Sequence, residues 1–182
     1  GTTFTLKYTV PNGLRTEIAC SPTDPNTIYV LAQLNSDPVG IYKTTDNFNT
    51  TPTTLPLPSD ADNGIPDNDF TRGQAFYDLL IRVDPNDENT LYVGGIDLFK
   101  SINGGTSWSQ ISHWYGGFGY QEVHADQHGL AFSSSSRMLF SNDGGVYFSE
   151  NGGDNIQPRK KGFNTLQFYT VGVAPTTAFS GA

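Results

Sequence analysis

The fold of this chain is indicated by the stretch Ser101-Ile102-Asn103-Gly104-Gly105-Thr106-Ser107-Trp108, because shortened copies of it recur at 44–46 and 149–153. Each copy has a Ser or Thr followed two residues later by Asp or Asn, whose side chain accepts hydrogen bonds from backbone N–H groups of a turn. Glycine allows positive φ within the turn, and the final aromatic residue can pack beneath it. We therefore interpret the motif as a folding device and not as a set of catalytic groups. Its residues are Thr44, Asp46, Ser101, Asn103, Gly105, Trp108, Ser149, Asn151 and Gly153.

Two shorter segments precede each motif and also repeat. In both segments apolar residues stand two apart, which is the period of a β-strand, and Asp, Pro and Asn residues predict a turn between them. The units start near positions 16, 79, 128 and 169, so that successive starts are 63, 49 and 41 residues apart. The first strands are predicted at 16–22, 79–85, 128–132 and 169–175, and the second strands at 27–30, 90–93 and 137–140.

A unit of this length suits one four-stranded antiparallel sheet, which is the blade of a β-propeller. We expect an all-β portion of a β-propeller over 1–182, with about three four-stranded antiparallel blades and partial blades at both ends. The approximate units are 16–78, 79–127 and 128–168, with the start of another at 169. The first residues, Gly1-Thr2-Thr3-Phe4, resemble the end of the motif, with Phe4 in the place of Trp108. Three blades cannot close a ring, so we expect the remaining blades to belong to the same larger chain.

Composition excludes some classes of partner. The formal net charge is −8, the pI is about 4.6, and the ten Lys and Arg residues do not cluster over a long stretch, which argues against nucleic acid. No apolar run approaches the roughly 20 residues of a membrane span, so we expect no membrane insertion. Cys20 is the one cysteine in the sequence, and it cannot form an internal disulfide. Abundant Thr, Asn and Gly with little Lys favour a secreted or cell-surface protein.

The stretch 101–108 resembles the Asp-box, or BNR-repeat, signature, with Asn103 in place of the Asp. The other two copies depart from it, with Phe48 where glycine is expected and Ile156 where the aromatic residue is expected. The chain resembles Asp-box propellers, which include sortilin-type domains, sialidases and xyloglucanase-like glycoside hydrolases, and most closely large secreted bacterial propeller proteins. The segments that carry this resemblance are 73–78, 112–117, 123–128 and 164–169. It implies the propeller fold and leaves the activity open.

His124, Asp126 and His128 are predicted to alternate along an inner strand and so to share one face. Three interpretations are open: a polar lining of the central channel, contact with a ligand or substrate, and a metal site. At about 3.3 Å per residue the two histidines lie about 13 Å apart, which disfavours one ion held by both.

Two loops are further candidates. The aromatic loop, residues 113–120, carries Trp114, Tyr115, Phe118 and Tyr120 between glycines, and such rings either stack on sugars and anchor partners or fill the gap between blades. The acidic loop, residues 60–69, contains Asp60, Asp62, Asp67 and Asp69. It resembles thrombospondin type 3 calcium repeats with one residue missing, so we expect either a calcium site or a solvated acidic insertion.

Catalytic motifs are scarce. Asp78 and Asp126 are candidates for a pair of acid and base carboxylates at the start of inner strands. The five arginines are scattered, which disfavours a sialidase, and no nucleophile elbow, P-loop or dinucleotide fingerprint is present. The leading hypothesis is a non-catalytic extracellular propeller module that binds protein or glycan. The alternatives are a xyloglucanase-like glycoside hydrolase and a rigid spacer in a surface protein.

Overall fold

A computed structural model describes residues 2–35, 38–159, 161–162, 172–173 and 180–181. These residues form strands, turns and loops, and no helix occurs within them. The strands are β1 (Gly13–Cys20), β2 (Ile28–Leu34), β3 (Val39–Thr44), β4 (Thr53–Leu55), β5 (Leu80–Val83), β6 (Leu91–Gly94), β7 (Leu98–Ser101), β8 (Ser109–Gln110), β9 (Gln127–Phe132), β10 (Met138–Asn142), β11 (Gly145–Ser149), β12 (Gln157–Pro158), β13 (Gly172–Val173) and β14 (Ser180–Gly181).

The first twelve strands form three four-stranded antiparallel sheets, each in chain order, which confirms the predicted all-β architecture. In the first sheet Val30 of β2 pairs with Ile18 of β1 and with Tyr42 of β3. The predicted first strands of the three units coincide with β1, β5 and β9. The fourth predicted strand, 169–175, lies outside the described residues except for β13, which pairs with β14. The resembling segment 164–169 also lies outside them.

The middle sheet is buried on both faces. Side chains alternate along a strand, so Ile81 joins the apolar cluster shared with the first sheet, whereas its neighbour Leu80 joins the cluster shared with the third sheet. On β6, Val93 likewise joins the cluster shared with the first sheet and Tyr92 the cluster shared with the third. The first strands also approach one another, since β5 contacts both β1 and β9. The sheets therefore pack side by side around their first strands, as propeller blades do.

The three repeated motifs adopt the same hydrogen-bonded turn, which we call the hairpin lock. In each, the first hydroxyl donates to the side-chain oxygen two residues later, at 2.9, 2.9 and 3.0 Å from Thr44, Ser101 and Ser149. The same hydroxyl accepts the backbone N–H four residues later, at 3.0, 2.9 and 2.9 Å. Residues with positive φ close each turn, and the second and third locks have Gly105 and Gly153 where the first lock has the strained Phe48.

The anchor beneath the turn varies between the locks. Trp108 is half-buried against the cluster between the first two sheets, and its indole Nε1 donates to the carbonyl of Pro56 at 2.8 Å. Ile156 is buried at the corresponding place in the third lock. Phe4 is 93% exposed, so the expectation that it anchors a turn is wrong: residues 2–10 form no strand beneath which the ring could pack. Phe48 instead stacks on Tyr8, with ring centroids 5.5 Å apart.

Candidate functional site

The candidate residues lie at one end of the sheets, which we call the linker face: residues 56–79, 95–97, 111–126 and 143–144. Both links between successive sheets reach the start of a first strand there. Because neighbouring strands are antiparallel, the turns between the second and third strands lie at this same end. The hairpin locks join third and fourth strands and so lie at the opposite end, which separates the folding device from the candidate site.

Asp78 precedes β5, and its backbone N–H donates to the carbonyl of Gln74 at 3.0 Å. Its carboxyl is fully buried, and neither oxygen has a hydrogen-bond partner among the described residues. Burial raises the pKa of Asp78 to about 8, and the negative charges of Asp126 and Asp69 add to this effect. Arg15 opposes it weakly, because its guanidinium donates to backbone carbonyls at 76 and 77. Asp78 is therefore mostly protonated at pH 7.

Asp126 lies in a left-handed turn with φ of 65°, directly before β9 begins at Gln127. The prediction that His124, Asp126 and His128 alternate along one strand is therefore wrong, because the strand period does not extend back through a left-handed residue. The buried Gln127 amide holds this turn by donating to the carbonyl of His124 at 2.6 Å. Burial and the charge of Asp143 raise the pKa of Asp126, whereas both histidines lower it.

The remaining groups form a network beside Asp126. His128 Nε2 lies 2.8 Å from Asp143 Oδ1, and the Tyr77 hydroxyl donates to both oxygens of Asp143 at 3.0 and 3.1 Å. The Tyr77 and His128 rings meet edge to face with centroids 4.8 Å apart. We call Asp78, Tyr77, Asp126, His124, His128 and Asp143 the Asp78 cluster. The structure thus brings two carboxyls with raised pKa values next to a histidine–carboxylate pair.

The aromatic loop is closed at its base by a parallel bridge between His113 and Glu122, and an antiparallel bridge joins Gly117 to Tyr120 within it. Residues 116–119 all have positive φ, including Phe118 at 51°. Trp114, Tyr115 and Phe118 are 38%, 51% and 56% exposed, and Tyr120 is half-buried. The first three rings therefore face outward, which disfavours the interpretation that they fill the gap between the second and third sheets.

The acidic loop does not gather its four carboxylates. Asp67 accepts the Ser59 hydroxyl at 2.6 Å, and Asp69 caps a turn by accepting the Thr71 hydroxyl and the Gly73 N–H, both at 2.6 Å. Short polar side chains of this kind bond first to their own backbone. Asp60 and Asp62 point instead toward a different partner, so the arrangement predicted for calcium is not assembled.

That partner is a pair of buried groups that sequence reasoning missed, Asp97 and His113. Ligand atoms of Asp60, Asp97 and His113 all lie within 4.8 Å of one another, and His113 Nε2 is 3.7 Å from Asp62 Oδ2. Both Asp97 oxygens and both His113 nitrogens lack hydrogen-bond partners among the described residues. Burial raises the pKa of Asp97 to about 9, and the charges of Asp60 and Asp62 contribute. The available indication was Asp97 itself, a charge within the apolar stretch 91–99.

The sequence matches no family model and no curated protein. No helix among the described residues is long and apolar enough to cross a membrane.

Solved structures similar to this chain are propellers. They include the GH74 enzyme of Niastella koreensis (24% identity, TM-score 0.51) and the GH74 xyloglucanase of Xanthomonas campestris (20% identity, TM-score 0.53). YCF48 from Cyanidioschyzon merolae is also similar (17% identity, TM-score 0.52). The matches cover 77%, 78% and 83% of this chain, and 22%, 22% and 38% of those chains. The chain thus spans less than half the length of each, and at these identities the likeness establishes the propeller fold alone.

Proposed function

We propose that this chain is part of an extracellular Asp-box propeller that binds carbohydrate, without catalysis, through its aromatic loop. The observation that carries the proposal is the exposure of Trp114, Tyr115 and Phe118 on a loop that is held by its own backbone hydrogen bonds. Exposed aromatic groups on a fixed frame are typical of binding surfaces.

The chemistry of the loop fits a sugar. Flat rings stack on the apolar faces of pyranose units, and Trp and Tyr also offer a polar edge for hydroxyl groups. Trp114 and Tyr115 meet edge to face with centroids 4.5 Å apart, so they present two faces at a steep angle rather than one flat patch. The edge of the Asp78 cluster, where His128 and Asp143 are about one-third exposed, supplies polar groups on the same linker face.

The hairpin locks support the assignment to Asp-box repeats, because all three share the hydrogen bonds that this motif predicts. The xyloglucanase of Xanthomonas campestris is named for a polysaccharide substrate, which makes plant β-glucans the first ligands to try. A secreted or cell-surface location follows from the same resemblance and from the composition.

Isothermal titration with xyloglucan and other β-glucan oligosaccharides tests the proposal. Trp114→Ala and Phe118→Ala should each weaken binding by about tenfold, since a stacking ring contributes roughly 0.5–1.5 kcal/mol beyond its buried area. Ile102→Ala is the matched control, because Ile102 is 72% exposed on a hairpin lock at the opposite end. The absence of glycan binding, or equal loss in the control, would contradict the proposal. If the chain instead bound a protein partner, and the same two substitutions abolished that binding, the ligand would be a protein and not a carbohydrate.

A glycoside hydrolase is the second candidate, and Asp78 favours it. A carboxyl that stays protonated at pH 7 can donate a proton to a leaving oxygen, and Asp126 beside it is the second carboxyl that such a reaction requires. Release of shorter products from xyloglucan oligosaccharides, abolished by Asp78→Asn while binding persists, would favour the enzyme. Binding with no turnover under the same conditions would eliminate it.

A further inference from the structure

Asp60, Asp97 and His113 form a buried group at the linker face that neither proposed function uses. From this geometry we infer that these three residues, with Asp62, hold a single divalent transition-metal ion, of which Zn²⁺ fits best.

The spacing suits one ion. His113 Nε2 lies 4.0 Å from Asp97 Oδ2 and 3.7 Å from Asp62 Oδ2. Zinc binds nitrogen and oxygen ligands at about 2.0–2.2 Å, so two ligands of one ion are separated by up to about 4 Å. The group of Asp60, Asp97 and His113 spans no more than 4.8 Å, so small side-chain rotations bring the ligand atoms within reach of a common ion.

The lack of other partners points to a cation. Asp97 and His113 are both fully buried, and four of their polar atoms have no hydrogen-bond partner among the described residues. A buried polar atom without a partner is unfavourable, and native proteins rarely keep one. A proton shared between Asp60 and Asp97 satisfies those two carboxyls and leaves the imidazole unpartnered, whereas one cation satisfies all three residues.

The surrounding bonds orient the ligands. Gln110 Nε2 donates to Asp60 Oδ2 at 3.2 Å, and the backbone N–H of Asp62 donates to Asp60 Oδ1 at 2.8 Å. The Gly64 N–H donates a hydrogen bond to Asp62 Oδ1 at 2.8 Å, and the other oxygen, Oδ2, is directed toward His113. Such outer contacts fix ligand geometry in metal sites. The Asp62 side chain is 21% exposed and gives an ion a path from solvent.

The donor set selects the metal. Calcium prefers six to eight oxygen ligands, but Asp67 bonds to Ser59 and Asp69 to its own turn, so too few oxygens converge for calcium. One imidazole with two or three carboxylates suits Zn²⁺. The site also joins the acidic loop to the aromatic loop, because the His113 ring contacts Tyr115 and Phe118 with centroids 4.2 and 5.0 Å apart.

The test uses the purified protein after treatment with a chelator, titrated with Zn²⁺ and separately with Ca²⁺. Calorimetry should give one Zn²⁺ per chain and a rise in melting temperature, and Co²⁺ should produce a visible absorption band that Zn²⁺ displaces. Asp97→Asn should weaken Zn²⁺ binding at least about 100-fold. Asp60→Asn should weaken Zn²⁺ binding to a similar extent, and it replaces Asp97→Asn as the test if that variant does not fold.

The metal-free Asp97→Asn protein should melt close to the wild-type temperature, because an amide fills the same buried space without adding a charge. A purely structural role for Asp97 predicts a lower melting temperature in that state. The matched control is Asp67→Asn, in the same loop but outside the group, which should bind Zn²⁺ as the wild type does. No Zn²⁺ binding, equal loss in the control, or Ca²⁺ binding that depends on Asp67 would overturn the inference.

Discussion

Phe118 offers a test in which the effect of backbone strain on stability is measured separately from the effect of the ring on binding. Its φ of 51° lies in the left-handed region, and its ring is 56% exposed. A non-glycine residue in that region costs about 1–2 kcal/mol. Such strain persists where the surrounding structure holds a residue for another purpose, and here we assign that purpose to ligand contact.

The comparison of Phe118→Gly with Phe118→Ala isolates the backbone strain. Both variants lose the ring and its contact with His113, whose centroid lies 5.0 Å away. Glycine removes the left-handed strain but loses about 0.5–1 kcal/mol more chain entropy on folding than alanine does. The glycine variant should therefore be more stable than the alanine variant by about 0.5–1 kcal/mol, or about 1–4 °C in melting temperature.

Calorimetric melting and oligosaccharide titration on the same samples provide the assay. Both variants should bind about tenfold more weakly than the wild type, and glycine no better than alanine, since the ring is absent from both. A glycine variant that melts below the alanine variant would refute the strain argument. Wild-type affinity in either variant would refute the role of the ring.

Three further predictions concern stability, each checked by denaturant or thermal melts. Gly105→Ala should lower the free energy of unfolding by about 2–4 kcal/mol, because φ is +84° and the new Cβ would stand 2.6 Å from a leucine methyl. Gly119→Ala, with φ of +87° and open space around it, should lower it by only about 1–2 kcal/mol. Equal losses would contradict the packing around Gly105. Trp108→Ala should cost about 2–4 kcal/mol and Asp126→Ala less than about 1, and the reverse order would contradict the anchoring role. Because the pKa of Asp78 is raised to about 8, its contribution to stability is complete below about pH 4 and declines as pH rises toward about 8. Asp78→Asn should therefore gain stability relative to wild type between about pH 5 and pH 8. A stability difference that stays constant with pH would contradict the burial of Asp78 as a protonated acid.

The strands and locks were predictable because their causes are local. Period-two apolar residues identified β5 and β9, and the Ser–Asn spacing in Ser101 and Asn103 identified a turn whose hydrogen bonds the structure reproduces. Asp78 was also identified, because it stands at the start of an inner strand. Its burial depends on how the link before β5 folds over it, which the sequence does not encode locally.

The errors share a physical origin. The strand period predicts that His124, Asp126 and His128 alternate, but the left-handed backbone of Asp126 ends the alternation before β9. Of the two alternatives for the acidic loop, a calcium site needs carboxylates that converge, but Asp69 bonds to its own turn. Asp97 and His113 meet Asp60 across separate links of the chain, and such a long-range meeting leaves no periodic pattern in one sequence.

The central claim is that the aromatic loop is the binding surface, and the two tryptophans allow it to be tested directly. Trp114 lies in the aromatic loop, whereas Trp108 packs beneath a hairpin lock with its indole bonded to Pro56, and the chain has no other tryptophan. In a Trp108→Phe variant, emission from Trp114 should shift and saturate as xyloglucan oligosaccharide is added. The Trp114→Phe variant, which reports Trp108, should stay unchanged. Saturable binding measured by calorimetry with no response from Trp114 would contradict the claim.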